Sequence, residues 1–360
     1  MLRLGGPAWA GPAREPCGLT IRPRSLVSVV YPQDPRAGPF CSAATVHRAP
    51  VSIERSLSQA GGCLLSRDLV HSRSDARELA ALVSTGVVLR LGRGAYALPA
   101  APPDVVAPRL AGGLLTCVSA AAEVGLPLLR APSAPHVAIP STRRLPRSAS
   151  LPPGTRVHWD GRVEAPAPGT MSALATPTPL ALLHTLGCLP AREVVALWDA
   201  AVNRGVVRHH ELAVLRPRRA GRRQFDAVLR STDGRSQSMP ETFLRLATRR
   251  LGLLVEPQAL VEGIGFVDLL VERRVAVEVD GYAFHSDRVA FAEDRRRDRA
   301  ALAVGLASLR YTFRDAVQHT ERAAMEVLEA VRASVRSGRP ELDERLVAVR
   351  AAALGPRATF

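Results

Sequence analysis

The stretch GFVDLLVERRVAVEVDG, residues 265–281, has the clearest strand pattern in the chain. Apolar residues recur at every second position in both halves: Val267, Leu269 and Val271 in the first, and Val275, Val277 and Val279 in the second. This period of two predicts two β-strands, and the charged residues between them predict a hairpin. At one end, Asp268, Glu278 and Asp280 take the positions between the valines, on the other face of their strands. The stretch therefore predicts both a sheet and a group of carboxylates.

The register of the hairpin decides whether these carboxylates meet. Pairing Asp268 with Glu278 leaves residues 272–274 as a three-residue loop, which is a common hairpin length. In that register Asp280 also lies on the same side of the sheet. A two-residue loop would instead send Asp268 to the opposite face.

Carboxylates that converge in this way repel one another and lose hydration, and a bound divalent cation offsets that cost. Mg²⁺ and Mn²⁺ prefer oxygen ligands of this kind. The alternative is a charged, solvated face on an edge strand. Because three acids occur here without an interleaved basic residue, we predict that Asp268, Glu278 and Asp280 bind Mg²⁺ or Mn²⁺.

Four separated segments around this hairpin carry a family resemblance: SMPE (238–241), FVDLLVERRVAVEVDGYAFH (266–285), FAEDRRRDRA (291–300) and LRYTFRD (309–315). From about Ser238 to Glu329 the chain resembles the very-short-patch-repair-endonuclease-like domains of the PD-(D/E)XK nuclease superfamily. The resemblance implies an α/β fold with a central mixed sheet. It also implies that Asp268 is the Asp of the first motif element and that Glu278 and Asp280 occupy the second. Asp280 stands where the wider superfamily has lysine.

Two further residues are candidates for catalysis. His285 matches a histidine that contributes to catalysis in the short-patch-repair branch, and histidine can accept a proton near neutral pH. A single histidine after a strand also often has a structural role. Glu241 matches an acidic residue that approaches the metal. The three-residue spacing of Ser238 and Glu241 also fits a helix capping box, which is the alternative role.

Residues 52–99 have the pattern of three short helices followed by a two-stranded hairpin, which is the order of a winged helix-turn-helix. Ser72 and Asp75 predict the start of the third helix, on which Arg73 and Arg77 share a face. With Arg93 in the hairpin, these arginines are candidates for DNA contact. The alternative is a small helical domain that binds a protein or nothing. Residues 82–99, LVSTGVVLRLGRGAYALP, resemble the N-terminal winged helix of abortive-infection (type IV) antitoxin-like transcriptional regulators.

The net charge is +15 and the pI is about 11.1, which favours a polyanionic partner such as DNA. All 48 basic residues are arginine, however, so codon bias acting on a solvated surface would give the same composition. In the basic segment 291–300, Glu293 and Arg297 are spaced for an ion pair within a helix. Arginines of the same segment can hold a DNA phosphate by bidentate hydrogen bonds. The candidates are Arg295, Arg296 and Arg299.

The five cysteines are widely spaced and suggest neither a disulfide framework nor a zinc site. His184, His209 and His210 have no acidic or cysteine neighbours at ligand spacing, so we interpret them as structural. No apolar run approaches the length of a membrane span. These features predict a cytoplasmic protein without a membrane partner.

The expected fold class is multi-domain α/β. We expect residues 1–51 to be disordered or an untranslated extension, 52–103 a winged helix-turn-helix, 104–236 a mixed α+β connector, 237–335 a restriction-endonuclease-like α/β domain, and 336–360 a flexible tail. The predicted function is that of a DNA-associated protein with a docking winged helix and a metal-dependent endonuclease domain. The alternative is a non-catalytic regulator or antitoxin-like protein, with a protein partner or a second copy of itself.

Overall fold

The strand and helix periodicities of the sequence produce a mixed α/β protein, and its described part contains three β-sheets. The structure is a computed structural model that describes residues 52–92, 94–145, 150–164, 175–217, 220–280, 288–343 and 347–349. Within these ranges, the side chains of residues 288–294 and 348–349 are not described. The expected extension, residues 1–51, lies outside the described residues.

The first sheet belongs to an N-terminal group of elements: α1 (Ile53–Gln59), β1 (Cys63–Leu65), α2 (Ser66–Leu69), α3 (Arg73–Ser84), β2 (Leu89–Gly92) and β3 (Ala95–Ala97). Its strands are antiparallel in the order β1-β3-β2. The predicted capping box at the start of α3 is confirmed, since Ser72 Oγ accepts from the Asp75 N–H at 3.1 Å and the Asp75 carboxylate accepts from the Ser72 N–H at 2.9 Å. Strand β1 was not predicted, because three residues are too few to show a period.

The second sheet lies among helices in the middle of the chain: α4 (Pro103–Ala111), β4 (Leu114–Leu115), α5 (Cys117–Glu123), β5 (His136–Pro140), β6 (Arg156–Asp160), α6 (Thr178–Thr185), α7 (Ala191–Asn203), α8 (His209–Ala213) and α9 (Arg222–Ser231). Strand β5 pairs antiparallel with β4 and parallel with β6. Helices α6, α7 and α9 pack around the fully buried Trp198 and Phe225. Residues 104–236 thus contain both helices and strands among their described residues.

The third sheet belongs to the C-terminal elements: α10 (Met239–Arg250), β7 (Val255–Val261), β8 (Gly265–Val271), β9 (Val275–Asp280), α11 (Arg288–Ala303), β10 (Ala307–Thr312), α12 (Phe313–Gln318), α13 (Thr320–Arg336) and β11 (Val347–Val349). Its order is β10-β9-β8-β7-β11, with β10 parallel to β9 and the other pairs antiparallel. The sheet is therefore mixed, as expected.

Helices cover both faces of this mixed sheet. On one face, Leu244 of α10 and Val327 of α13 pack against Leu269 and Val277. On the other face, Ala301 of α11 packs with Leu270 and Ala276. Both faces of the central strands are buried, which explains their high valine and leucine content.

The β8–β9 hairpin has the predicted register, with Leu269 opposite Val277 and Val271 opposite Val275. The loop therefore has three residues, and Glu272 and Arg273 adopt left-handed backbone conformations with φ of 48° and 50°. The pattern of valines and the loop length were together sufficient to fix this pairing.

The mixed sheet extends beyond residue 335, where we expected a flexible tail to begin. Leu342 is buried against the α11 face, and Val347–Val349 pairs with β7. These apolar residues lie on the sheet because it offers them an apolar face and an unpaired edge.

Helix α10 joins the middle and C-terminal elements through a buried ion pair. Arg245 Nη2 donates to Asp199 Oδ2 on α7 at 2.6 Å, and the two side chains are 0% and 1% exposed. Asp199 also accepts from the Thr242 hydroxyl at 2.6 Å and from the Asp233 N–H at 2.7 Å. The remaining nitrogens of Arg245 donate to Ser236 and Ser231, so every polar group of the pair has a partner.

Among the described residues, no helix is long and apolar enough to cross a bilayer.

Candidate functional site

The candidate site begins where the β8–β9 hairpin opens at its end. Asp268 Oδ2 accepts a hydrogen bond from the Val279 N–H at 2.8 Å, in the place where a strand carbonyl would ordinarily accept it. Glu278 and Asp280 lie on the same strand as Val279, and both are partly buried. The structure thus brings the three predicted metal ligands to one end of the sheet.

Gln258 on the neighbouring strand β7 links Asp268 to Glu241. Its amide nitrogen donates to Asp268 Oδ1 at 3.0 Å and to Glu241 Oε2 at 3.1 Å, and its amide oxygen accepts from Gln237 Nε2 at 3.0 Å. Gln258 is only 3% exposed. A single buried amide therefore holds two carboxylates, which is a role that the sequence pattern did not reveal.

The backbone of Gln258 is strained in a way that serves this contact. Its φ is +51°, a left-handed value that is uncommon for a residue with a side chain. Val255 packs with the α10 and α13 side of the sheet, whereas Ala259 and Val261 pack with the α11 side, although all three have the same parity. The faces change in the same way on β8, where Val267 packs with the α11 side and Leu269 with the α10 and α13 side, while the β7–β8 register continues unbroken. Strain of this kind is concentrated at functional sites.

Glu241 caps the start of its helix and also lies close to Asp268. Its carboxylate accepts from Ser238 Oγ at 2.7 Å and from the Gln237 N–H at 3.0 Å, while Ser238 Oγ accepts from the Glu241 N–H at 3.3 Å. These contacts cap the start of α10. The same carboxylate, 5% exposed, reaches the Gln258 amide beside Asp268.

An arginine from α11 supplies a positive charge to the site. Arg297 Nη2 donates to Glu278 Oε1 at 2.6 Å and also to the Phe266 carbonyl. Arg297 thereby contacts the acidic strand; the side chain of Glu293, its expected partner within α11, lies outside the described residues. A guanidinium thus lies beside Glu278, at the end of the sheet that carries the three acids.

Burial and mutual repulsion shift the acidity of these carboxyls. Burial, with the charge of Asp268 as the next cause, raises the pKa of Glu278 to about 7 and that of Glu241 to about 7. Burial also raises the pKa of Asp268. The group therefore holds protons near neutral pH, and a cation would displace them.

The pKa of Glu278 predicts a stability change for Glu278→Gln. Its folded pKa of about 7 exceeds the ordinary 4.5, so the folded state binds more protons and stability falls as pH rises from 4.5 to 7. We expect the free energy of unfolding of Glu278→Gln to exceed that of wild type by about 1 kcal/mol or more at pH 8, and not to exceed it at pH 4.5. Urea unfolding at both pH values measures this, and Glu262→Gln at an exposed acid is the control. A gain that is equal at both pH values would refute the assignment.

The acids do not surround one point as closely as we expected. Among the residues that the structure describes, one group of side chains brings its ligand atoms within 4.8 Å of one another. That group consists of cysteine and histidine residues, and none of these acids belongs to it. Gln258 separates Glu241 from Asp268, and Arg297 occupies an oxygen of Glu278. The predicted ligands lie at the same end of the sheet, and a cation that binds there would have to displace one of these hydrogen bonds.

The predicted DNA-binding residues are distributed over two helices. Arg73 and Arg77 are exposed on α3. Their acidic neighbours are engaged in the fold, since Asp75 caps α3 and Glu78 accepts from the Ile53 N–H at 2.9 Å. Both acids are therefore held by contacts within this group of elements.

The basic residues of α11 differ in their surroundings. Arg295 lies 3.6 Å from Asp298, Arg296 donates to the Gly263 carbonyl at 2.8 Å, and Arg299 is exposed. Two of the three predicted phosphate ligands therefore also have contacts within the fold. Arg93 and the catalytic candidate His285 lie outside the described residues.

The group with closely spaced ligand atoms lies in the middle of the chain and consists of Cys117, His136, His158 and Cys188. Its residues come from four separated segments, so their spacing along the chain gave no indication of a metal site. The hydrogen bond between the two thiols raises the pKa of Cys117, which is also buried, and lowers that of Cys188.

His184 also differs from the expectation that it has no acidic partner. Its Nε2 lies 3.0 Å from Asp160 Oδ2, and its Nδ1 lies 2.7 Å from Thr116 Oγ1. Its ring stacks on His158 with a centroid distance of 5.0 Å. The partner is brought in by strand β6, from 24 residues away along the chain.

Comparisons with known proteins add little to this geometry. No family model and no curated protein matches the sequence. Among solved structures, the crystal structure of the RV2827C protein from Mycobacterium tuberculosis is similar at 17% sequence identity and a TM-score of 0.33. That similarity covers 50% of this chain and 75% of the other, and it is too weak to support an inference about function.

Proposed function

We propose that the protein binds DNA and that its C-terminal part hydrolyses a phosphodiester bond with Mg²⁺ or Mn²⁺. The observation that supports this most is that Glu241, which is buried, and Asp268 and Glu278, which are partly buried, lie at one sheet end beside Arg297. Buried like charges with raised pKa values are destabilising unless they bind a cation or perform chemistry. Such perturbed groups are therefore candidates for a catalytic site.

The roles of the residues follow from this arrangement. Asp268, Glu278 and Asp280 hold the cation, and Glu241 supports them through Gln258. Mg²⁺ retains several waters and needs only one or two carboxylates, so three tightly gathered ligands are not required. When bound, the ion polarises the phosphate and activates water. We assign proton transfer to His285, and contact with the DNA backbone to Arg295, Arg296 and Arg299.

The fold assignments belong to the same proposal. A mixed sheet with helices on both faces and acids at the end of a hairpin agrees with a restriction-endonuclease-like domain. The order α1-β1-α2-α3-β2-β3 agrees with a winged helix whose third helix reads DNA. Both are consistent with the very-short-patch-repair and antitoxin-regulator resemblances.

One observation favours a second candidate, a non-catalytic regulator that uses the nuclease-like fold for binding. Gln258 and Arg297 already satisfy oxygens of Asp268, Glu241 and Glu278 without an ion. In that case DNA or a protein partner binds without cleavage.

The direct test incubates the full-length protein with plasmid, single-stranded and mismatched DNA, with Mg²⁺, with Mn²⁺, and with a chelator. We expect cleavage of at least one substrate in a metal-dependent manner. DNA binding without cleavage under every condition would favour the regulator, and the absence of both would reject the proposal.

Arg73 and Arg77 provide a test of DNA docking that is independent of cleavage. We expect the double substitution to alanine to weaken DNA binding and to reduce the slope of log affinity against log salt by about two, since each lost phosphate contact changes that slope by about one. Fluorescence anisotropy across a salt series measures both quantities. The matched control is the double substitution Arg322→Ala and Arg332→Ala on α13, which removes the same charge. Equal effects of the two pairs would contradict a specific role for α3.

A further inference from the structure

We propose that Cys117, His136, His158 and Cys188 bind one Zn²⁺ ion as a closed structural site. The site lies in the middle of the chain, and the inference does not depend on the proposed hydrolytic function. Three features support the zinc site: the spacing of the ligand atoms, the convergence of four chain segments on one place, and the preference of thiolate and imidazole ligands for zinc.

The spacing of the ligand atoms matches a zinc tetrahedron. Zinc binds imidazole nitrogen at about 2.0–2.1 Å and thiolate sulfur at about 2.3 Å, so tetrahedral angles place two nitrogens about 3.3 Å apart and nitrogen and sulfur about 3.6 Å apart. His136 Nδ1 and His158 Nε2 are 3.3 Å apart, and Cys188 Sγ is 3.8 Å from the same Nε2. All four ligand atoms lie within 4.8 Å of one another.

Hydrogen bonds alone account poorly for this group. An imidazole nitrogen carries either one hydrogen or one lone pair in the ring plane. His158 Nε2 nevertheless has both His136 Nδ1 and Cys188 Sγ as neighbours. An ion between the four atoms would satisfy all of them, because each ligand atom would direct a lone pair toward the ion.

The fold delivers the four ligands to one place. Strands β5 and β6 are parallel with Ala138 opposite His158, so His136, two residues before Ala138, lies on the same face as His158. Cys117 follows β4 and begins α5 with a left-handed φ of 55°. Cys188 lies in the turn after α6, where its N–H donates to the Thr185 carbonyl at 2.9 Å. The strained Cys117 backbone indicates that surrounding contacts fix this conformation.

Outer residues hold the ligands in their orientations, as is common around protein metal sites. The His136 N–H donates to Ser119 Oγ at 3.1 Å, and the His136 carbonyl accepts from the Thr116 N–H at 2.8 Å. His158 stacks on His184, which Asp160 and Thr116 fix from both ring nitrogens. The backbone of His136 and the ring of His158 are thus held in place without the ion.

The ligand set identifies the metal and the role. Two thiolates and two imidazoles in a tetrahedron favour zinc over the harder Mg²⁺ and Mn²⁺. Four protein ligands leave no open position for a substrate, so the site is structural. It would connect the β4–β6 sheet to the turn between α6 and α7, beside the His184–Asp160 contact that already joins α6 to β6.

The test measures metal in the full-length protein, purified under reducing conditions without chelator. We expect about one zinc per chain by mass spectrometry of the elements, and loss to the level of the buffer in Cys188→Ser and in His158→Asn. The matched controls are Cys63→Ala, at a buried cysteine of the N-terminal group, and His210→Asn, at an exposed histidine. Both controls should retain the zinc of the wild type.

A second measurement needs no variant, so a folding defect cannot obscure the result. After exchange of wild-type protein into Co²⁺, we expect the intense visible absorption of four-coordinate cobalt together with thiolate-to-cobalt charge transfer. Wild-type protein that contains no zinc and gives no such spectrum would overturn the proposal. Unchanged zinc in folded Cys188→Ser, or a Cys117–Cys188 disulfide in the reduced preparation, would also overturn it. Neither measurement involves DNA, so this outcome is separate from that of the hydrolytic function.

Discussion

Asp268→Ala is expected to lower metal-dependent DNA cleavage by about 10³-fold or more. The reason is that a bound cation contributes several kcal/mol of transition-state stabilisation, and each 1.36 kcal/mol corresponds to about a factor of ten in rate. Asp268 contacts both the Val279 N–H and Gln258, so in the proposed site it would hold these neighbours in place as well as bind the cation. Glu278→Ala should have a similar effect. Single-turnover cleavage with saturating Mn²⁺ measures the rate.

Matched variants separate loss of chemistry from loss of structure. Asp268→Asn retains an oxygen that can accept from Val279 but removes the charge, so it should bind DNA as wild type does while losing cleavage. Glu262→Ala, at an exposed acid in the turn between β7 and β8, should leave cleavage unchanged. If calorimetry shows that wild type binds no Mn²⁺ even with DNA, and the Asp268 and Glu278 variants bind DNA normally, the C-terminal fold is a binding module. Cleavage that persists in Asp268→Ala would mean that the activity arises elsewhere.

Arg245→Met is expected to reduce the free energy of unfolding by about 3–5 kcal/mol. Removing the guanidinium leaves the buried Asp199 carboxylate without its charge partner, and breaking one side of a buried pair has a cost of that size. Asp199 keeps the hydrogen bonds from Thr242 and Asp233, which limits the loss. Urea unfolding at neutral pH measures the change.

Two comparison proteins make this result specific. Arg250→Met breaks an exposed pair with Glu321, whose side chains are 71% and 67% exposed, and should cost less than about 1 kcal/mol. The double variant Asp199→Leu with Arg245→Met replaces both charges by apolar groups, so it should recover much of the stability lost in the single variant. A double variant less stable than Arg245→Met would show that the hydrogen bonds of Asp199, rather than its charge pair, carry the effect.

The features that the sequence predicted well are local. The β8–β9 register followed from the alternation of valines and a three-residue loop, and the start of α3 followed from Ser72 and Asp75. In each case the interacting residues are close along the chain, so a pattern of neighbours contains the information.

The features that the sequence pattern did not predict depend on contacts between residues far apart along the chain. Gln258 gains its role from a strand distortion and from Glu241, 17 residues earlier. The Cys–His group draws on segments from residue 117 to residue 188, and none of its spacings resembles a metal motif. Arg297 pairs across the fold with Glu278, on a strand 19 residues earlier. No short-range pattern could distinguish these contacts from solvated or structural alternatives.

The buried contact between α7 and α10 also bears on how the protein can be divided. A fragment beginning at residue 237 would carry Arg245 without Asp199, together with Phe243, which packs against Ala196 of α7. Such a fragment would expose apolar surface and leave a guanidinium without its charge partner. The change of sequence character near residue 236 is therefore not a place to cut, and the segments on either side of it are best expressed, recombined and engineered as one piece.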